Sequence, residues 1–249
     1  MVREFVARVD HIMHNHTGTG IAIFWVQPPP GFYIDPDILD RWFQAVIPQG
    51  IIDFGAFLDM DDDGLGYTFP CSLLSSDSHG CSTITSFTIT GCRLGYIDRV
   101  GCLVSLRRVH LHKMRVTGDE LSCFLSSSPA LEELELSYCH DIVCLKIPHL
   151  LSRLKFLHVG NNNGLQKIQC DAPELKIVSY VGLPTTRICL GDSSPLVSEM
   201  KVSSVDEHGM LCYATTKLPS VARNLSILSL SSCFEVSVSF SVTISAHAF

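Results

Sequence analysis

The sequence predicts an α/β solenoid, in which short parallel strands form a concave sheet and helical or extended segments return over the convex side. Three observations lead to this fold class. A frame with apolar residues at its first, fourth and sixth positions recurs nine times along the 249 residues. The central copies begin 21 to 25 residues apart. Four copies end in cysteine or asparagine at the ninth position, namely Cys92, Cys139, Asn162 and Cys233.

The recurring frame has the length and form of a leucine-rich repeat, whose units span roughly 20–29 residues. One unit cannot bury its apolar face alone, whereas stacked units share a continuous core. We therefore predict a leucine-rich-repeat horseshoe of about nine repeats over residues 1–233, followed by an atypical tail or edge strand over 234–249. The nine frames are Ile21/Phe24/Val26, Ile51/Phe54/Ala56, Ile84/Phe87/Ile89, Leu106/Val109/Leu111, Leu131/Leu134/Leu136, Leu154/Leu157/Val159, Leu175/Val178/Tyr180, Val197/Met200/Val202 and Leu225/Leu228/Leu230.

Three segments between or before the frames show helical patterns. The first has an apolar stripe of Val2, Phe5, Val6, Val9, Ile12 and Met13. The second begins with Asp35 as N-cap and Pro36 at the first helical position. In the third, Thr117 and Glu120 have the spacing of a capping box.

Later returns alternate instead of following a helical period. The alternating pairs are Leu145/Ile147, Ile168/Cys170 and Ile188/Leu190. We therefore predict that the convex side changes from helical to short extended segments near residue 142.

Composition and charge exclude several classes of function. The net charge of -7 argues against a broad nucleic-acid interface, which would need a basic face. No apolar run approaches the roughly 20 residues that span a bilayer, and the start lacks the apolar centre of a signal peptide. The eleven cysteines are an odd number without a C-x-x-C pair, so we expect reduced, buried thiols. The chain is predicted to be intracellular, in the cytoplasm or nucleus.

Two motifs that could bind metal are better interpreted otherwise. The segment DMDDDG, with Asp59, Asp61, Asp63 and Gly64, matches the start of a calcium loop, but Pro70 stands where the closing glutamate should be. The segment before it also has a strand pattern instead of an entering helix. His11, His14 and His16 lack further ligands nearby for a tetrahedral site. We therefore predict no metal and no cofactor.

The sequence contains none of the nucleotide-binding or hydrolase motifs that would indicate an enzyme. Cys123 lies beside Phe124 on an amphipathic helix, so we expect it to be buried and not nucleophilic. The chain is predicted not to be an enzyme.

Residues that alternate with the buried positions should point to the concave side. From the third frame onward, one predicted outward column is Thr88, His110, Glu135, His158, Ser179, Lys201 and Ser229. Its neighbour is Ser86, Arg108, Glu133, Phe156, Ile177, Glu199 and Ile227. Cross-strand charge pairs are expected between Arg108 and Glu133, and between Glu135 and the histidines on either side.

This mixture of charged and apolar side chains suits recognition of a protein target. The predicted partner-binding residues are Arg108, His110, His112, Glu133, Glu135, Phe156, His158, Ser179 and Lys201. The alternative is a solvated sheet face without a ligand. If the His110–Glu135–His158 ladder forms, we expect partner binding to depend on pH between roughly 5.5 and 7.5.

Several stretches resemble plant F-box/leucine-rich-repeat proteins, including the FBD-associated type. The resemblance rests on FVARVDHIMHNHTGTGI at 5–21, IDPDILDRW at 34–42, LSSSPALEELELSYC at 125–139 and DAPELKIVSYVG at 171–182, and covers roughly residues 4 to 233. It implies a substrate receptor of a cullin-RING ubiquitin ligase, in which the repeats hold the target. The F-box, which holds the Skp-type adaptor in that family, would precede Met1. We therefore expect contact with adaptor and cullin only if an F-box is supplied elsewhere.

Two alternatives to protein-target binding remain open at this stage. Some members of the resembled family hold a hormone or an inositol phosphate at the top of the horseshoe, and Arg107, Arg108, Lys113 and Arg115 form a modest basic group in this sequence. The C-terminal EVSVSFSVTISAHAF does not continue the repeat pattern, so a degenerate, non-functional fragment is the third alternative.

Overall fold

A computed structural model describes residues 1–15, 20–59, 66–74, 83–95, 103–191, 196–204, 209–222, 224–232 and 240–245. The α-helices are α1 (Val2–Asn15), α2 (Pro36–Val46), α3 (Gly118–Ser126), α4 (Met210–Thr216) and α5 (Leu218–Val221). The strands are β1 (Ile23–Val26), β2 (Asp53–Phe57), β3 (Thr68–Pro70), β4 (Ser86–Thr90), β5 (Arg93–Gly95), β6 (Arg108–His112), β7 (Glu133–Ser137), β8 (Cys144–Ile147), β9 (Phe156–Gly160), β10 (Lys167–Cys170), β11 (Ile177–Val181), β12 (Arg187–Cys189), β13 (Glu199–Ser204), β14 (Ile227–Ser232) and β15 (Phe240–Ser245).

A ten-stranded sheet runs through the whole stack in the order β1-β2-β4-β6-β7-β9-β11-β13-β14-β15. Its first nine strands are parallel, and each contains the fourth and sixth positions of one of the nine predicted frames. Each repeat contributes one strand and returns on the other side, which is the architecture of a leucine-rich-repeat solenoid. The predicted fold class is therefore confirmed.

The last strand differs from the other nine. β15 lies within the predicted C-terminal tail and pairs antiparallel with β14, from Ile227 opposite Ser245 to Ser232 opposite Phe240. An antiparallel strand reverses the chain at the end of the sheet, so it adds a final edge without adding another repeat.

The inward-pointing residues of the strands form one continuous core. In β6, β7, β9, β11 and β13 the second and fourth residues of each strand are buried, as in Val109 and Leu111 or Leu134 and Leu136. Because neighbouring strands are parallel and in register, these side chains stack from repeat to repeat. Towards the first repeats the core is aromatic, and Phe54 stacks on Phe87 with ring centroids 5.5 Å apart.

The convex side follows the predicted order of helical and extended returns only in part, because the returns after β2 and β4 already contain the extended segments β3 and β5, which pair in parallel before residue 142. The Asp35 side chain accepts the Asp37 N–H at 3.0 Å, and Thr117 and Glu120 form the predicted capping box at the start of α3. Beyond residue 142 the returns form a three-stranded parallel sheet in the order β8-β10-β12. The prediction did not include the change back to a helical return in α4 and α5, between β13 and β14.

The chain leaves several strands of the large sheet through a residue with a left-handed backbone. Gly91, Lys113, Tyr138 and Asn161 each follow a strand and have positive φ angles. The Tyr138 N–H donates to the Gly160 carbonyl at 2.9 Å, which extends the ladder to the next repeat. This geometry places Lys113 and Tyr138 on the rim at the carboxyl ends of the strands.

Candidate functional site

The strand register brings the predicted partner-binding residues onto one face of the ten-stranded sheet. His110 pairs with Glu135, Glu135 with His158, His158 with Ser179, and Ser179 with Lys201. In the neighbouring column Arg108 pairs with Glu133 and Glu133 with Phe156. We call this surface, formed by the outward side chains of β6, β7, β9, β11 and β13, the concave patch. Its register is the predicted one, while its binding role stays a prediction.

A histidine on β6, the first strand of the concave patch, has a ring nitrogen without a hydrogen-bond partner among the described residues. His110 Nε2 is buried and accepts or donates no hydrogen bond within the described residues, and it lies 3.9 Å from Glu135 Oε1. An unpaired buried nitrogen is unfavourable, because it has lost its contact with water.

His158 uses a different partner from the one the sequence suggested. Its Nδ1 lies 3.0 Å from Ser179 Oγ, and no ion pair with Glu135 forms within the described residues. Burial lowers the pKa of His158, and the nearby Glu135 carboxylate only partly opposes this effect. The neutral imidazole therefore prefers the Ser179 hydroxyl to a salt bridge.

Arg108 and Glu133 are neighbours in register, but their charged groups are not within ion-pairing distance in the structure. Arg108 is exposed, and exposed charges gain little from pairing because water screens them. Lys201 instead contacts Glu199 on its own strand at 2.9 Å. Arg108 therefore remains available to an acidic group of a partner.

An aromatic cluster at the first two strands extends the concave patch and was missed by the sequence analysis. Trp25 is 59% exposed, its ring centroid is 5.5 Å from that of Phe57, and its Nε1 donates to Asp53 Oδ1 at 3.0 Å. A Cβ atom added to Gly55 would lie 3.0 Å from Cδ1 of the Trp25 indole, which is unusually close. Glycine at this position therefore leaves room for the ring against the sheet. Applying the same alternation to the first two frames would have identified Trp25.

His112 ends the outward row of β6 at the rim. Its ring meets that of Tyr138 edge to face at 5.0 Å, and Tyr138 meets His140 at 6.3 Å. Burial, followed by the charge of Lys113, lowers the pKa of His112. These three rings give the rim an aromatic border beside the concave patch.

The four basic residues considered as an inositol phosphate site do not converge. Arg107 precedes β6 and pairs with Glu132 at 2.9 Å, whereas Arg115 lies beyond the other end of the strand and contacts Asp141 at 3.3 Å. Lys155 also binds Glu132, and together these contacts lower the pKa of the Glu132 carboxyl. The cations are thus distributed along the strand and partly neutralised.

The residues of the two metal-like motifs have other contacts where the structure describes them. Asp59 accepts the Gly31 N–H at 2.7 Å and follows the predicted strand β2, while Asp61, Asp63 and Gly64 lie outside the described residues. His11 contacts Asn15, and His16 also lies outside them. Within the described part of the chain, no group of three His, Cys, Asp or Glu side chains is placed to hold a metal ion.

The expectation of buried cysteines is only partly correct. Cys71, Cys92, Cys139 and Cys170 are buried, but Cys123 and Cys212 are exposed. Cys123 was expected to be buried, and this was wrong because α3 turns Leu121, Phe124 and Leu125 towards the core and Cys123 away from it. In the part of the chain that the structure describes, no helix is long and apolar enough to cross a membrane.

The parallel sheet, the stacked apolar core and the outward columns together define a leucine-rich-repeat domain of the protein-interaction class. The sequence profile of the At1g61320/AtMIF1 leucine-rich-repeat domain matches residues 12–245. This chain belongs to that family.

The chain is also similar to a protein of Arabidopsis thaliana that is named an F-box/FBD/LRR-repeat protein, At3g49040. The two are 29% identical over 143 residues, which is 56% of this chain and 34% of the relative. The similarity thus spans about one third of the relative's length. It supports the predicted resemblance to plant F-box/leucine-rich-repeat proteins.

Proposed function

We propose that this chain is a non-catalytic recognition domain that binds a protein target through the concave patch. The observation that carries the proposal is the mixed character of this face, on which exposed Arg108 and half-buried His110 of β6 lie two strands from half-buried Phe156 of β9. Arginine and aromatic side chains are enriched at the hot spots of protein interfaces.

The wider surface supports a target that covers several repeats. Trp25 offers an aromatic anchor at one end, and the Glu199–Lys201 pair offers charged contacts at the other. In the large sheet, eight neighbouring strands lead from β1 to β13. Because neighbouring strands lie about 4.8 Å apart, these eight strands cover roughly 34 Å. That length matches a folded domain or a long peptide better than a small molecule.

We further propose that the target is a substrate of a ubiquitin ligase. The name of the Arabidopsis relative includes an F-box beside its repeats, and this chain belongs to a leucine-rich-repeat family. An F-box binds the Skp-type adaptor and, through it, the cullin, so these partners would join only where an F-box is supplied.

Site-specific photo-crosslinking tests the concave patch directly. A photoreactive phenylalanine analogue at Phe156 keeps an aromatic ring in place, and the matched control carries the analogue at Lys146, which is exposed on convex strand β8. In plant extract we expect a crosslinked protein from position 156 and not from 146. Equal crosslinking from both positions, or from neither, would contradict the proposal.

A triple variant, Arg108→Ala, Glu135→Ala and Phe156→Ala, should lose the same protein in affinity purification while keeping its melting temperature. The ligase role is then decided by whether an adaptor and a cullin co-purify when an F-box is joined to the chain. If the target binds but is never ubiquitinated in that assembly, the ligase role is wrong and target recognition stands.

A further inference from the structure

One edge of the convex sheet β8-β10-β12 is covered by a helix, whereas the other edge faces a cleft. At the β8 edge, the start of α3 lies directly against the strand, since a Cβ on Gly118 would overlap the carbonyl oxygen of Cys144. At the β12 edge, a cleft of about 900 Å³ lies between the strand and helices α4 and α5. The ladder of described strands ends at β12 because the next return is helical.

The backbone of β12 can accept another strand at this cleft. The Arg187 N–H donates to the Gln166 carbonyl at 2.9 Å, so Arg187 directs its backbone groups towards β10. Backbone groups alternate in direction along a strand, and Ile188 therefore directs its N–H and carbonyl towards the cleft that it lines. Extended peptides bind such sheet edges by adding a strand.

The described lining of the cleft is basic, whereas the chain as a whole is acidic. The described lining includes Arg187 and Lys217 but neither aspartate nor glutamate, although the chain has a net charge of -7. Neither cation has an ion-pair partner among the described residues. An acidic ligand would therefore meet two cations without ion-pair partners, while the Asp171 carboxylate lies close to Gly191 of the lining.

The lining also contains an unsatisfied hydroxyl group. Tyr213 is 7% exposed, and its Oη is buried and has no hydrogen-bond partner within the described residues. Burial raises the pKa of Tyr213 to about 12, so the group is a neutral O–H donor at physiological pH. A carbonyl or carboxylate oxygen is the acceptor that such a donor lacks.

We propose that this cleft is a second binding site, which takes an extended, acidic peptide segment of a partner protein as an additional strand beside β12. The Ile188 backbone supplies the strand pairing, and Arg187 and Lys217 supply the charge selection. Charged side chains on an edge strand also protect against aggregation. If the cations only protected the edge strand against aggregation, the cleft would not select acidic peptides. A binding experiment can therefore distinguish protection from peptide recognition.

Selection of ten-residue peptides from a random displayed library against the full chain tests the proposal. The comparison proteins are Arg187→Glu/Lys217→Glu and, with the same change in charge, Arg153→Glu/Lys176→Glu, two exposed residues outside the cleft and the concave patch. We expect acidic peptides that bind the parent and the control variant equally and bind the cleft variant at least about tenfold more weakly. Failure to enrich acidic peptides, or equal loss in both variants, would overturn the proposal.

N-methylation of an enriched peptide tests the strand pairing without altering the protein. Methyl groups on alternate residues should abolish binding in one register and leave it nearly unchanged in the other, because only every second N–H faces β12. If neither register matters and inorganic phosphate displaces the peptide, the cleft is only an anion site. If the parent instead forms dimers that the cleft variant does not, its occupant is a second copy, and the proposal is again overturned.

Discussion

The Asn162 side chain accepts the Cys139 backbone N–H at 2.6 Å, which links the ends of two successive repeats inside the core. The same amide donates to the Leu136 carbonyl at 3.5 Å. The Leu136 carbonyl lies near the end of β7 and the Cys139 N–H in the bend that follows it, where the chain turns inward. One buried side chain thus satisfies a backbone N–H that the bend leaves open and joins it to the end of the strand.

Replacing this asparagine should therefore destabilise the array. We expect Asn162→Ala to lower the free energy of unfolding by about 1–3 kcal/mol, since it leaves a buried N–H without an acceptor. Urea denaturation followed by circular dichroism would measure the change. Asn163→Ala is the control, because Asn163 is exposed, and a comparable loss in both variants would show that the Asn162 contacts contribute little.

Gly118 gives a prediction in which two effects compete. Alanine usually stabilises a helix relative to glycine by about 1 kcal/mol. Here the added Cβ would overlap the Cys144 carbonyl oxygen, so we expect Gly118→Ala to destabilise by about 1–3 kcal/mol. Gly66→Ala is the control, because its Cβ would meet an ordinary contact at 3.5 Å. A rise in melting temperature of the Gly118 variant would contradict the expectation.

The stability of the domain should decrease as the solution becomes acidic. Burial lowers the pKa of His158 and of His112 below the ordinary value of 6.5. In the window just below 6.5 the unfolded chain therefore binds more protons than the folded chain, and the stabilisation present above 6.5 is lost as the pH falls. Denaturation midpoints measured between pH 7.5 and 5 would reveal this slope.

His158→Gln should reduce that pH dependence, whereas His149→Gln, on the exposed convex side, should leave it unchanged. An identical slope in the parent and the His158 variant would contradict the assignment. Because His158 contacts Ser179 and forms no ion pair with Glu135, the ladder on which the expected pH dependence of partner binding rested does not form in full.

Thiol labelling should distinguish two groups of cysteines. Cys123 and Cys212 are exposed, while burial raises the pKa of Cys71 to about 12 and of Cys139 to about 11. We expect a maleimide to modify Cys123 and Cys212 in the native protein much faster than Cys71 and Cys139, as read by peptide mass spectrometry. Protection of Cys123 comparable to that of Cys139 would contradict the outward position of this residue on α3.

Much of the scaffold was predictable because each repeat is specified by its own local pattern. The nine frames identified nine strands, and the two outward columns are in the predicted register, since a parallel array with one strand per repeat aligns equivalent positions. The Asp35 cap and the Thr117–Glu120 box were also found, because capping depends on residues within one turn of the helix.

The errors arose where distant parts of the chain decide the outcome. Cys123 lies outward although its helix is amphipathic, because the exact face turned to the core depends on how α3 packs on β8. His158 binds Ser179 instead of Glu135, because burial favours the neutral ring. The cleft beside β12 could not be predicted, since it requires an extended return to be followed by a helical one.

The sequence by itself determined the repeat, its strands and the side of the sheet on which each side chain lies, because period-two alternation fixes that side locally. The tertiary structure alone decided which outward groups meet partners, which remain unpaired, and where a sheet edge stays open. Those properties depend on distances between repeats and on burial, and both arise only when the units are stacked together.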